Sequence, residues 1–488
     1  EFIGNGISSR ILVRKGTLRL LEKTGAAGHE FHVIDEANKP RPQATAWLDG
    51  KEYEPDEKGV VTVPFSTRPG QRTAVLRDGD FSSLARFKHL GESYALDAGI
   101  YVDRESLLSR KKAHILVRPG LRINGRPTSL DLLQEIKLVV LAVDYEGTPN
   151  RSEVSIEKLE EGEEFVHEIK VPEKLLQMSV TLEAKVENLS LGRKQSLRDS
   201  ETFGINAIEQ GSSVNALHLG WSADGYFLDA LGKNGEPLVD HPVVVEVKHL
   251  CFKRVIPHRL KTDQSGRISL GNLPEIQWIS ARNTDEKTYR WPIFGQRESR
   301  VDQQKALHAS TGEEIKLAVS GSWTQGKERE KCSLLERKAG LYVSDLADRA
   351  THQDGFLTLK GLAPGDYELF LKETGESIGI RVTAGQRRFG FVASANRILE
   401  DNRPTPLQIT DLSVQNGKVR VQVANGHAFA RVHLLATRYA PRFDVHSGLA
   451  NAPLPQPTAV RLNSPKALYV AERDIGEEYR YVLERAQA

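Results

Sequence analysis

The stretch Asn234-Gly235-Glu236-Pro237, followed by Val243-Val244-Val245-Glu246-Val247 and then by Asp263-Gln264-Ser265-Gly266 leading into Arg267-Ile268-Ser269-Leu270, decides how the chain is read. Asp and Asn side chains bond their own backbone two residues on, and Gly accepts positive φ, so both polar clusters reverse the chain. The valine run between them and the alternation of Ile268 and Leu270 with polar neighbours are strand patterns. The segment therefore reads as strands joined by tight turns, with one face buried.

Working outward, the same order recurs, giving four copies in all. In the first, Asn38-Lys39-Pro40 precedes Ala44-Thr45-Ala46-Trp47-Leu48, and Asp56-Glu57-Lys58-Gly59 introduces Val60-Val61-Thr62-Val63. The second runs from Val143-Asp144-Tyr145-Glu146-Gly147-Thr148-Pro149 through Phe165 to Pro172 and on to Val180 to Val186. In the fourth, Asp354-Gly355 opens Phe356-Leu357-Thr358-Leu359, and Ala363-Pro364-Gly365-Asp366 opens Tyr367 to Leu371. A sheet this small cannot bury its face alone, so two must pack as a sandwich. The 488 residues suit four to five units of roughly 100 residues. The expected fold class is all-β, a tandem array of sandwiches over 1–111, 112–206, 207–303 and 304–400, with a partial β domain over 401–488. Within that last piece, Lys418 to Val423 and Ala430 to Thr437 read as a hairpin around Asn425-Gly426. Helical periodicity is confined to Ser129–Gln134, Glu173–Gln177 and Cys332–Lys338, each too short to carry a domain.

The third unit, from Tyr226 through Ala281, resembles the macroglobulin-type domains of bacterial alpha-2-macroglobulin-like proteins in its order of Gly-x-Pro, long strand, Asp-x-x-Gly and strand. The fourth, with Asp354-Gly355 and Pro364-Gly365-Asp366-Tyr367, is similar to prealbumin-like and carboxypeptidase-regulatory-like domains. The resemblance implies Ig-like, seven-stranded domains on an extracytoplasmic, periplasmic or secreted protein acting as scaffold or trap. The thioester motif Cys-Gly-Glu-Gln of such traps is missing: Phe252-Lys253 follows Cys251, and Ser333-Leu334 follows Cys332.

Composition narrows the function classes. With glycine counted, about 47% of residues are apolar, an ordinary globular value. A net charge of +2 is too balanced to hold a polyanion, so nucleic acid is not expected as a partner. No apolar run approaches the roughly 18 residues that cross a bilayer, and no signal peptide opens the chain. Glu1-Phe2 looks like a cloning scar, Met178 is the single methionine, and the end around Tyr479 to Arg485 carries no turn signal. The expectation is a fragment of a longer protein. Two cysteines make no disulfide framework, and free thiols are expected.

Several motifs carry residue types that catalysis or metal binding uses. Gly375-Glu376-Ser377-Ile378-Gly379 matches a nucleophile elbow, which makes Ser377 the candidate nucleophile, but Ile380-Arg381-Val382-Thr383 continues as a strand where the elbow needs a helix. The segment reads instead as a hairpin tip. Ser109-Arg110-Lys111-Lys112 and Ser155-Ile156-Glu157-Lys158 match Ser-x-x-Lys without its companion motifs. His29 and His32, three apart, point to opposite faces of a strand and share an ion only across a bulge. His249 and Cys251, two apart, fall on one strand face with His258 available after a turn, a His/Cys/His set suited to zinc. His427 and His433 lack a third ligand. The Glu157 to Glu164 run is a solvated loop, since general acid work needs a buried carboxyl. Beyond that divalent metal no cofactor is expected, and the five tryptophans are expected in cores.

No convergent catalytic set emerges. The reading is a structural or protein-binding module whose partner is another protein or the remainder of its own polypeptide. The alternative is a hydrolase, esterase or phosphoesterase, with a site at a domain junction and a metal requirement.

Overall fold

The computed structural model describes residues 2–4, 7–9, 16–204, 215–232, 235–283, 287–293, 304–319, 323–401, 405–428, 430–434, 436–441, 456–462 and 485. Asn234, the expected boundaries near Asn206 and Gln303, most of the Pro-rich stretch Asn451 to Pro457, and residues 463–484 and 486–488 lie outside them. The regular secondary structure of the described chain is almost entirely strand, with one four-residue helix at Glu328–Lys331 and three single 3₁₀ turns. Among the described residues, no helix is long and apolar enough to cross a membrane.

The first three units are built on one plan, a tandem of Ig-like β-sandwiches. In the first and third, seven strands taken in chain order divide into a three-stranded sheet, 1-2-5, and a four-stranded sheet, 4-3-6-7; the second repeats this pairing with one added short strand, Arg126–Thr128, on Lys112–Ile123, which makes both of its sheets four-stranded. In the first unit the strands are Leu18–Thr24, His29–Asp35, Thr45–Leu48, Lys51–Tyr53, Val61–Val63, Gly70–Asp78 and Phe81–His89. In the third they are Asn215–Ser222, Gly225–Gly232, Pro242–His249, Ile256–Lys261, Arg267–Gly271, Ile276–Arg282 and Thr288–Pro292. The second unit uses longer strands, up to the 14 residues of Leu175–Asn188, and has the largest core, including Ile115, Leu138, Met178 and Leu182.

The repeated turns have a common physical basis. Asp56, Asp144 and Asp263 each accept two amide N–H bonds through Oδ1, from residues two and four further on, at 2.8–2.9 Å. The glycine three positions after each, Gly59, Gly147 and Gly266, takes φ of +75°, +82° and +74°. The Pro-containing turns also superimpose in bonding. Asp35 N–H donates to the Lys39 carbonyl and Gly232 N–H to that of Glu236, while Pro40 bridges Ile34 and Pro237 bridges Leu231.

The fourth unit departs from this plan. Its first strand, Ala306–Ser310, leaves its expected sheet and pairs in parallel with the last, Glu376–Thr383. This gives a five-stranded sheet that runs Ala306–Ser310, Glu376–Thr383, Gly365–Leu371, Cys332–Lys338, Leu341–Asp345. Opposite lie Ile315–Ala318, Phe356–Leu359 and Ala350–Gln353. Tyr367, buried at the start of its strand, donates its hydroxyl to the Ala363 carbonyl four residues back at 2.8 Å, the tyrosine corner of Ig-type sandwiches.

Some expectations are corrected. The boundary at 111 falls beside the strand Lys112–Ile123, which pairs with Tyr94–Val102, so the second unit begins near Tyr94. Cys332–Lys338 is a strand; Glu173–Gln177 is a turn running into one; Ser129–Gln134 holds a 3₁₀ turn at Leu130–Leu132 and the start of the strand Leu133–Asp144. The late hairpin joins Lys418–Ala424 to the preceding Gln408–Gln415 through Asn416-Gly417, both at positive φ, rather than to Ala430 to Thr437. Asn-Gly is the two-residue hairpin turn. The boundary at 400 cuts a small sheet, Gln386–Arg388, Phe391–Ala393, Arg397–Glu400 and Ala459–Arg461. That sheet buries Phe391, Ala393 and Ile398 against Leu21 and Ile34 of the first unit. It also offers Glu400 to Arg126 of the second unit at 2.6 Å. Of the tryptophans, Trp291 is a core residue, whereas Trp47 and Trp221 are exposed.

Candidate functional site

The histidines distribute as follows. His29 is fully buried in the first unit, its Nδ1 donating to Glu22 at 2.7 Å and its Nε2 accepting the Leu90 N–H at 3.0 Å, with Phe65, Phe87 and His89 around the ring. His32 stacks on Phe389 of the small sheet at 4.4 Å, and burial lowers its pKa. The two rings thus serve separate contacts and do not converge.

His249 ends the strand Pro242–His249 just past a register shift, and Cys251 lies in the following turn rather than on the strand. His258 pairs opposite Val245, four residues back, which carries it roughly 13 Å along the ladder from His249. The position expected for it is taken by Glu275, in the turn before Ile276–Arg282. One donor atom each from His249, Cys251 and Glu275 lie within 4.8 Å of one another. His249 Nε2 faces the Glu275 carboxylate at 3.3 Å, and Nδ1 accepts the Cys251 N–H at 3.1 Å. Phe252 stacks on the ring at 4.6 Å. Glu275 lies 24 residues from Cys251 in sequence, and only the pairing of the two strands brings them together.

Ser377 lies at the exposed start of the strand Glu376–Thr383 and donates to Glu368 at 2.5 Å, a carboxylate that also accepts from Tyr342 at 2.7 Å. Where the nucleophile elbow needs a helix, the strand runs on to Thr383, and the residue that the Ser377 hydroxyl engages is a carboxylate rather than a histidine. Cys332 is buried in the fourth core, and burial pushes its thiol up to about 11, far from nucleophilic range. Both cysteines are free.

The surface feature that sequence reasoning missed is the strand Leu341–Asp345. It is the last strand of its sheet among the described residues, and it exposes Leu341 (71%), Tyr342 (55%) and Val343 (50%) in succession. Sandwiches ordinarily blunt such an edge with charge or proline, because its unpaired backbone templates an added strand. Three consecutive apolar residues after Ala339-Gly340 were the available signal.

The fold and the surface define a tandem Ig-like β-sandwich protein. Residues 103–211 match the family model described as the AbpF third immunoglobulin-like domain. Over 99% of its length the chain is similar, at 30% identity, to Actin-binding protein F of Dictyostelium discoideum, and it spans 22% of that relative's length. Solved structures that the chain matches include a tetra-tandem repeat from the extending region of a large adhesion protein, at 12% identity, 75% of this chain, 98% of that one and a TM-score of 0.16. Elastase-activated alpha-2-macroglobulin of Escherichia coli matches at 10% identity, 79% of this chain, 45% of that one and a TM-score of 0.19.

Proposed function

We propose that this chain is a non-catalytic, protein-binding segment of a longer actin-associated protein, in which the tandem sandwiches hold a binding edge at a fixed spacing. The observation that carries the reading is the similarity to an actin-binding protein running along nearly the whole chain, through every unit. The exposed edge at Leu341–Asp345 supports it, since strand addition supplies affinity from backbone hydrogen bonds and specificity from alternate side chains. The small sheet that packs on the first unit and pairs with Arg126 supports the spacer role, because it ties non-adjacent units together.

The macroglobulin-type and prealbumin-like resemblances, with the extracytoplasmic place they imply, make the rival reading. They rest on turn motifs that many sandwiches share. Among the described residues, no nucleophile and base are assembled in favour of the hydrolase alternative.

The test is co-sedimentation of the purified 488-residue chain with actin filaments. Saturable pelleting that is lost in Leu341→Glu/Val343→Glu is the expected result. A chain that stays in the supernatant at every filament concentration overturns the actin reading. Pelleting untouched by the double substitution overturns the edge as its surface.

A further inference from the structure

We propose that His249, Cys251 and Glu275 form a zinc-binding site on the third unit, a property separate from the binding function above. The three donors are an imidazole nitrogen, a thiolate sulfur and a carboxylate oxygen, already within 4.8 Å of one another. That set suits a borderline-soft divalent ion, and zinc takes all three donor types in tetrahedral sites.

The backbone holds the ligands in place. The Leu250 N–H donates to the Glu275 carbonyl at 2.9 Å, which locks the turn carrying Cys251 against the turn carrying the glutamate. Glu275 itself sits at φ +57°, a left-handed conformation that a non-glycine residue adopts only under constraint from its surroundings. The Phe252 ring covers one face of the imidazole, and His249 is mostly buried, so its ring direction is fixed toward the carboxylate. The nearby cation, Lys248, is engaged by the carbonyls of His249 and Phe252.

Binding requires a definite proton movement. In the neutral ring, Nδ1 accepts the Cys251 N–H, so the proton sits on Nε2 and points at Glu275. An ion entering between Nε2 and the carboxylate shifts this proton to Nδ1, releases the thiol proton to solvent, and swings the Cys251 amide aside in its exposed turn. Three protein ligands then leave a fourth position for water. The ion lies next to the cleft between the third and fourth units, because Leu250 lines that cleft together with Trp278, Arg290, Lys372 and Glu373.

The site is tested with zinc alone, by competition between the intact chain and a chromophoric chelator, and with cobalt as a spectroscopic probe. One tight zinc per chain is expected. Cys251→Ser and His249→Gln should each weaken it by more than the roughly 10–100-fold that loss of an outer-shell partner costs, and Glu275→Gln by at least about tenfold. His258→Gln should leave it unchanged. A thiolate-to-cobalt charge-transfer band should appear in the parent chain and vanish in Cys251→Ser. Equal zinc affinity in the parent and Cys251→Ser, or a loss on His258→Gln as large as on Cys251→Ser, overturns the proposal.

Discussion

Gly266 faces Pro237 so closely that a β-carbon on the glycine would lie 2.8 Å from the proline's own β-carbon and 3.0 Å from its α-carbon. In the first unit Gly59 meets Pro42 in the same way, at 2.8 and 2.9 Å. The Asp-x-x-Gly turn and the Pro-containing segment, far apart in sequence, are thus packed face to face in both units. Gly266→Ala combines this clash with φ of +74° and should destabilise the third unit by roughly 1–3 kcal/mol. Gly235→Ala has comparable φ, +82°, but nothing within 4 Å, and should cost less. Thermal unfolding of the two variants checks the difference; equal losses would mean that packing on Pro237 contributes nothing.

The turns were legible in the sequence because they are local. An aspartate that bonds amides two and four residues on, followed by a glycine at positive φ, needs no information from elsewhere in the chain, and Asp56, Asp144 and Asp263 all do this. What the sequence hid was pairing at a distance. Tyr94 to Val102 contains Ala95, Ala98 and Gly99 and lacks a strong strand signature, yet it pairs along its whole length with Lys112–Ile123. The parallel pairing of Ala306–Ser310 with Glu376–Thr383 spans some 70 residues, and no turn signal announces it. The candidate metal group shows both sides: His249 and Cys251 were visible as neighbours, while Glu275 became visible only through the register of two strands.

Tyr367 supplies a second stability test. Its hydroxyl bonds the Ala363 carbonyl while the ring fills the fourth core. Tyr367→Phe keeps the ring and removes one hydrogen bond, so a loss of about 0.5–1.5 kcal/mol is expected. Tyr367→Leu removes ring packing as well and should cost more. Urea titrations of the two variants measure both values, and a neutral Phe variant would show that the corner does not contribute.

Arg126 and Glu400 join the second unit to the small sheet, with the carboxylate almost wholly buried and the guanidinium one-fifth exposed. Glu400 also accepts the Thr458 N–H at 2.8 Å. Arg126→Ala leaves this carboxylate without its cation, for which up to roughly 3–5 kcal/mol is expected. Replacing both partners, Arg126→Met with Glu400→Leu, should recover much of that loss, because apolar pairs of similar volume often match buried ion pairs. A double-mutant cycle read by calorimetry gives the coupling; additive losses would show that the pair is not coupled.

His308 couples the same junction to pH. It is buried, donates from Nδ1 to the Glu400 carbonyl at 2.8 Å, and accepts at Nε2 from Arg381 at 3.0 Å. Burial, reinforced by the positive Arg381, holds its pKa down to about 4 against an ordinary 6.5. The unfolded chain therefore binds a proton more readily than the folded one between these values. The neutral ring's contribution is full above pH 6.5 and declines as pH falls toward 4, by roughly 3 kcal/mol across the interval. Glu400 acts in a lower window: burial raises its pKa, but the bonds from Arg126 and Thr458 outweigh this and keep it below 4.5. Its contribution is therefore lost only as pH falls through that depressed value. Unfolding free energy measured from pH 7.5 to 4 should slope downward in the parent chain and less steeply in His308→Gln, whatever the variant's absolute stability, the remaining slope coming from His32, His89 and His352, whose pKa values burial also lowers. A slope left unchanged by the substitution would place the titration wholly on other residues.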